Sequence, residues 1–368
     1  MSRYDDLDDG GRGAPRRLLR RSASAGKYSS AMVITGSISI VVTLALVIGS
    51  LYFYKRYRDV WDSIGRINVS KDLVKRPPKY GTALNVLLIG SDTRKGKNGK
   101  IGGYTPGARS DTVMVLHLSP GRHDAVVLSF PRDSVVPILH CAPIDGTPGQ
   151  QAQPGQVEQI NSTFSFGGPG CLQETLEQTT HIRLDDFIQL TFVGFEKIIN
   201  DIGGVDVCLP QAVNVPDSGL DLSQGRHHIY GSQALAFWRS REGLGMGSDL
   251  QRIQRDQFLM VALLHGIEKS GMLRSPTKMV SVITDAASAM HTDTGLTPGR
   301  MLQIAESLRG VPTKSVQFVE VPTVPYVFNN NWVQWTPQDD QLFSALAHDI
   351  KLPKLVKSRS RSRSVKAE

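Results

Sequence analysis

At 368 residues and 40.3 kDa, with 40% hydrophobic content, the chain can build one large domain or two ordinary ones around a packed core. Its net charge of +8 and pI of 9.4 arise from the flanks, since residues 1–29, 55–79 and 351–368 are basic and the stretch between them is net acidic. A high pI of that origin gives no support to nucleic-acid binding.

Residues 1–29, with Gly10-Gly11 and Ser22–Ser24, read as a disordered cytoplasmic tail. Residues 28–54 hold no charged side chain, and the mostly apolar run Ala31–Tyr54 exceeds the ~20 residues a helix needs to cross a bilayer. Residues 30–54 are therefore expected to be one transmembrane helix, with Tyr52 and Tyr54 at the interface. No small-residue cleavage site follows, so the span reads as an uncleaved anchor. Arg16, Arg17, Arg20, Arg21 and Lys27 precede it, while Lys55, Arg56, Arg58 and Arg66 follow, so charge alone gives a near tie in orientation. All three cysteines lie beyond the span. Cys141 and Cys171, in Pro/Gly-rich surroundings read as loops, are disulfide candidates suited to an oxidising exterior; Cys208, in the apolar run Val205–Leu209, reads as a buried thiol.

Residues 55–80, with Pro77-Pro78, are expected to be a stalk. Strands follow at Leu84–Ile89, Thr112–Leu118 and Ala125–Phe130; the last two are joined by Pro120-Gly121 as a hairpin, and the first, apolar on both faces, should be central. Phe192–Ile202 reads as a helix stopped by Gly203-Gly204 before a strand at Val205–Leu209. Ser248 and Gln251 form a capping box for a helix whose apolar positions Leu250, Ile253, Met260, Leu264 and Ile267 run until Gly271. Thr297-Pro298 and Thr336-Pro337 each offer a cap plus Pro at the first helical position, with a strand, Ser315–Val321, between them. The result is an α/β domain over residues 81–350 with a mixed central sheet flanked by helices, ending in a basic Arg/Ser tail, residues 351–368, that reads as solvated.

Several chemistries are excluded by spacing. Gly90 to Lys97 is not a P-loop, because five residues separate Gly90 from Gly96 and Asn98 stands where Ser or Thr is needed. No H-E-x-x-H, G-x-S-x-G or C-x-x-C occurs, and the adjacent His227-His228 cannot share a helix face. What remains is a set of acidic and guanidinium groups at element ends: Asp92 and Arg94, Arg109 and Asp111, Arg132 and Asp133, Arg239 and Arg241, and Arg252 with Arg255 near a helix start. Arginine pairs bidentately with phosphate oxygens and carboxylates hold a hard cation, so the set points to a metal-assisted site for a highly anionic group. Cations in a helix's first turns oppose its dipole, which implies an anionic partner near Arg252 and Arg255.

Taken together, Asn85–Arg94, Arg109–Thr112, Ser129–Asp133, Ile160-Asn161 with Gly167-Gly168, Val193–Phe195, Ile202–Asp206, Gly231–Arg241 and Asp249–Arg255 resemble the LytR-CpsA-Psr family across residues 84–265. Gly168-Pro-Gly-Cys171 and Val207-Cys-Leu-Pro210 look like its actinobacterial members. The resemblance implies a single-span anchor with an extracytoplasmic catalytic domain of LCP-like α-β-α layers. It further implies transfer of a secondary cell-wall glycopolymer, as glycosyl phosphate, from a polyprenyl pyrophosphate carrier to a muramic-acid hydroxyl of peptidoglycan, assisted by magnesium, with manganese as the alternative. Asp92 and Asp111 match the magnesium-linked aspartates. Arg132, Arg239, Arg241 and Arg252 match the pyrophosphate-binding arginines, with Arg94 and Arg255 in support, and Asp92, Asp111, Arg132 and Arg239 form the catalytic set. Three segments depart from the family pattern: Asp256 replaces a neutral amide, Gln251 a glycine, and Ile229-Tyr230 the usual Leu-Asp before Gly231. A carboxylate at Asp256 would repel phosphate or recruit a cation. Two other functions fit the same residues, a polyprenyl pyrophosphate hydrolase with water as acceptor, and a non-catalytic membrane-anchored binder of wall polymers.

Overall fold

The computed structural model describes residues 30–69, 73, 75–91, 110–121, 123–138, 141, 156–209, 211–216, 219–239 and 249–353, with backbone alone at residues 30–33, 215, 249–257 and 276. One described helix, α1 (Ser30–Ser63), is long and apolar enough to cross a membrane. The strands that follow are β1 (Gly65–Ile67), β2 (Leu84–Ser91), β3 (Ser110–Leu118), β4 (Ala125–Phe130), β5 (Val135–Ile138) and β6 (Gln156–Gln159). Helix α2 (Ile160–Thr180) leads to β7 (Asp186–Thr191), and α3 (Phe192–Asp201) to β8 (Val205–Leu209), β9 (Val213–Val215), β10 (Leu220–Leu222) and β11 (Gly225–Ile229). Helices α4 (Gly231–Arg239), α5 (Asp249–Ser270) and α6 (Pro276–Ala287) precede β12 (Met290–Asp293). Helix α7 (Pro298–Arg309), β13 (Val316–Glu320), β14 (Thr323–Tyr326), β15 (Asn329–Trp335) and α8 (Asp339–Ala347) complete the order.

Seven strands form one mixed sheet in the order β1-β12-β7-β2-β3-β4-β13. β2 is its central strand, as its two apolar faces require. Leu87 and Ile89 point into a core shared with Val113, Val115 and Leu128 and closed by Leu172 and Leu176 of α2 and Leu342 and Phe343 of α8. Leu84 and Val86 point the other way, with Met114, Leu116, Leu118 and Val127, against Ile304 and Leu308 of α7 and Met260 of α5. Each such leucine or valine, fully buried, contributes about 1.5–3 kcal/mol. The expected hairpin is present: β3 and β4 pair antiparallel from Leu118 opposite Ala125 to Val113 opposite Phe130. At the turn end, buried His117 hydrogen-bonds through Nδ1 to Asn85 Oδ1 at 2.7 Å and through Nε2 to Asp349 Oδ1 at 3.0 Å, so Asn85 fastens β2 to β3.

Four expectations are corrected. Residues 55–80 are not a free stalk: α1 continues to Ser63, β1 pairs in parallel with β12, and Val69 is buried in the main core. Cys171 lies in a helix rather than a loop. α2 bends where Gly167 and Gly168 leave helical geometry, and Gly168 takes φ 65° and ψ −152°, a conformation only glycine adopts readily. Cys208 is half-buried, because β8 alternates and Cys208 falls on its outer face. The last helix starts at Asp339 instead of directly after Thr336, since the Asp339 carboxylate turns back to accept hydrogen bonds from Thr336 N–H and its hydroxyl. By contrast, Thr297 caps α7 as expected, its hydroxyl accepting from Arg300 N–H at 3.2 Å. Ser248 lies outside the described residues.

Among the described residues the former stalk is held by the ion pairs Arg76–Glu177 and Lys79–Asp185, the first of them the more buried. Glu177 is wholly buried at the end of α2, accepts from Arg76 Nε at 2.8 Å and from Leu184 N–H at 2.8 Å, and receives a second bond from Arg76 Nη2. Arg76→Leu would strand that carboxylate. The variant should lose about 3–5 kcal/mol of stability, read as a lower urea midpoint; an unchanged midpoint would contradict this role.

Candidate functional site

Register places several chain ends at one edge of the sheet. Ser91, the last residue of β2, sits opposite Ser110, the first of β3, and opposite Thr191, the last of β7; Phe130, the last of β4, lies beside Val113. Ligands of α/β sheets collect outside such carboxyl ends. Asp111 and Arg132 are brought together here, with Arg132 Nη1 donating to Asp111 Oδ1 at 3.0 Å and Nε to Asp133 Oδ2 at 3.3 Å. The Arg132 side chain is about three-quarters buried. Burial opposes its charge, yet the Asp133 and Asp111 carboxylates outweigh that and hold its pKa above the ordinary guanidinium value.

The turn that carries Arg132 is braced by α2. Ser134 N–H returns to Pro131 O at 3.0 Å, Asn161 N–H donates to Arg132 O at 3.3 Å, and Ile160 N–H donates to Ser134 O at 2.8 Å. Gln159 Nε2 fixes the Asp133 carboxylate at 2.7 Å. The sequence marked Asn161 only as part of a motif and Gln159 not at all; a polar residue just before a helix start was the available signal.

Arg239 ends α4, with its guanidinium carbon 5.0 Å above the ring of Phe192, the residue that follows β7. Phe192 thus offers a cation–π platform at the same sheet edge. The preceding Trp238 packs on Phe195 at 4.6 Å between ring centroids and reaches over β2, where a Cβ on Gly90 would lie 3.1 Å from the indole. Helix α4 is in turn seated on α3: Gly231 N–H donates to Asn200 Oδ1 at 2.9 Å, and a Cβ there would stand 2.3 Å from Glu196 O. That contact explains the glycine before the Ala-Leu-Ala segment.

Asp92, Arg94, Arg109 and Arg241 lie outside the described residues. Arg252, Arg255, Gln251 and Asp256 fall within the first turns of α5, where only the backbone is described. Cys141 and Cys171 are joined as expected, with Cα atoms 5.0 Å apart and both side chains buried. Among the described residues no group of three or more His, Cys, Asp or Glu could hold a metal. The Asp111 carboxylate is the described group at the edge whose chemistry suits a hard cation; the buried hydroxyls of Ser110 and Thr112, without a hydrogen-bond partner among the described residues, are turned to the other face of β3 by strand alternation. A cleft of about 700 Å³ opens at the other edge of the sheet, lined by Lys75, Tyr80, His348 and the Arg76–Glu177 pair. None of the expected site residues lines it, and its buried charges already neutralise each other.

These features define an α/β protein whose mixed sheet presents paired carboxylate and guanidinium groups at one edge. The chain belongs to the LytR_cpsA_psr family, whose model matches residues 50–348. It is 30% identical over 232 residues to the probable cell wall biosynthesis protein LcpB of Corynebacterium glutamicum, covering 61% of this chain and 52% of the relative. It is 25% identical over 293 residues to the polyisoprenyl-teichoic acid–peptidoglycan teichoic acid transferase TagU of Bacillus cereus, covering 77% and 85%. The chain spans about half the length of the corynebacterial relatives it matches. In fold it is similar to the LytR-Csp2A-Psr enzyme from Actinomyces oris, with a TM-score of 0.56 at 20% identity, covering 77% of this chain and 96% of that one.

Gly231→Ala should force α4 off α3, lowering stability by about 1–3 kcal/mol as read from the thermal midpoint; an unchanged midpoint would show that the contact is not tight. A pH effect follows from the antiparallel β8–β11 pair that leads into α4. His228 Nδ1 faces Asp206 Oδ1 at 2.6 Å and Nε2 faces Gly203 O at 2.7 Å, so both nitrogens meet acceptors and the His228 pKa is raised, chiefly by Asp206. Stabilisation from protonated His228 is complete below its ordinary value of about 6.5 and disappears as pH rises through the raised one. Amide exchange of Val205–Leu209 should therefore quicken on that upward passage beyond its intrinsic pH dependence, and His228→Gln should abolish the excess.

Proposed function

We propose that the chain transfers a cell-wall glycopolymer, as a glycosyl phosphate, from a polyprenyl pyrophosphate carrier to a muramic-acid hydroxyl of peptidoglycan on the outer side of the membrane. The observation that carries this reading is the Arg132 guanidinium, held at the carboxyl edge of the sheet by Asp111 and Asp133, with Arg239 positioned at the neighbouring β7 end. Family membership and the names of LcpB and TagU support it, and the Cys141–Cys171 bond supports an oxidising location.

Transfer of a phosphoryl group asks a protein for alignment and for neutralisation of charge on the phosphate oxygens. Arg132 and Arg239 supply fixed positive charge: one is locked by carboxylates, the other rests on an aromatic ring, so little reorganisation accompanies reaction. Asp111 and Asp133 set the direction of the Arg132 fork. Arg94, Arg241, Arg252 and Arg255 complete the pyrophosphate cluster in this reading. Magnesium, or manganese, would be held by Asp92 and Asp111, and when bound it neutralises phosphate oxygens. A sugar hydroxyl of peptidoglycan attacks the glycan-side phosphorus in line; its proton passes to a nearby carboxylate, and polyprenyl phosphate leaves.

Arg239→Ala tests the reading because Arg239 is exposed at the last position of α4, so the fold should survive its loss. With full-length protein, carrier-linked glycan and peptidoglycan fragments, the phosphodiester-linked product should fall by about 10²–10³-fold at an unchanged thermal midpoint. Full retained activity would count against this site, and release of free glycan phosphate instead of linked product would make the protein a hydrolase.

A further inference from the structure

The hairpin of β14 and β15 carries apolar surface that neither the core nor the proposed transfer uses. Its turn is Val327-Phe328, 72% and 84% exposed, where two-residue hairpin turns ordinarily take Asn, Asp or Gly. Behind the tip, Tyr326 stacks on Trp332 at 6.1 Å between centroids and meets Phe328 edge-on at 5.4 Å. No charged residue occurs between Val321 and Gln338. Turn chemistry does not account for a valine and a phenylalanine held out in water.

The hairpin springs from the edge that bears the Asp111–Arg132 pair. β13 runs parallel to β4 and ends there, and on the return Val333 N–H donates to Asp133 O at 3.1 Å, one residue from Arg132. The chain also reaches the sheet at this edge. Gly65, the first residue of β1, pairs with His291, and Met290 beside it pairs with Leu190 near the end of β7.

We propose that the β14–β15 hairpin is a membrane-interface wedge, with Val327 and Phe328 entering the acyl boundary and Tyr326 and Trp332 at headgroup level. The gradation along the hairpin supports a bilayer over a sugar chain: the outermost groups are alkyl and phenyl, with nothing to bond a hydroxyl, while the amphipathic aromatics stand behind them. A protein tethered to the same bilayer meets it at high effective concentration, so two apolar side chains suffice for a second, reversible point of contact. The wedge would hold the charged sheet edge at the depth where a lipid-linked phosphate resides.

The test uses the full chain in phosphatidylcholine nanodiscs, with Cys208→Ser and an environment-sensitive fluorophore on Phe328→Cys or, independently, on Val327→Cys. Both labels should show blue-shifted emission and be quenched several-fold more by nitroxide-bearing lipid than the same label on Gly121→Cys, which lies in the β3–β4 turn at the opposite edge. Water-like emission without quenching at both tip positions overturns the proposal. So does a shift without lipid quenching that grows with the number of protein copies per disc, which would mean a second copy. A shift that appears only with added peptidoglycan fragments would mean a glycan, and overturns it equally.

Discussion

The register of three strands governs everything else in this molecule. β2 is gripped in parallel by β7 and antiparallel by β3, so that Ser91 lies opposite both Thr191 and Ser110. A slip of one residue would turn Leu87 and Ile89 out of one core and Leu84 and Val86 out of the other. Because both faces are buried, the sheet tolerates no such slip, and the chain ends it positions are fixed with it. The charged edge is thus a by-product of core packing: hydrophobic burial sets the register, and the register sets where Asp111, Arg132 and Phe192 stand.

Within that edge, positive charge is held by two different means. Arg132 is shared by two carboxylates and its turn is strapped to the first residues of α2, so its direction is set by ion pairs and backbone bonds. Arg239 is placed by hydrophobic contact instead, through Trp238 on Phe195 and its own stacking over Phe192. The first arrangement fixes a charge against burial. The second leaves Arg239 exposed at the end of α4.

Much of this was legible in the sequence where one segment's pattern decides the matter. Two-faced apolarity marked β2 as central, Pro120-Gly121 marked the β3–β4 hairpin, and Thr297-Pro298 marked a helix start; the Cys141–Cys171 pairing was also expected, although Cys171 proved helical rather than looped. What stayed hidden depends on distant partners. β1 is three residues long and exists because β12 pairs with it, which no local periodicity reports. Helix α2 carries Gly-Gly-Pro at its bend, a string that reads as loop until the buried faces on either side are seen to share one core. At the edge, the residue types were readable from Asp111, Arg132 and Arg239, whereas the pairing of Arg132 with Asp133, the brace from Gln159 and the Phe192 platform required tertiary structure.

The most direct measurement is a structure of the full chain with a bound polyprenyl diphosphate and magnesium. The account predicts diphosphate oxygens within about 2.7–3.2 Å of the Arg132 and Arg239 guanidinium nitrogens, at the edge where β2, β4 and β7 end. A diphosphate seated instead in the cleft beside Lys75 and His348, or away from both arginines, would contradict it.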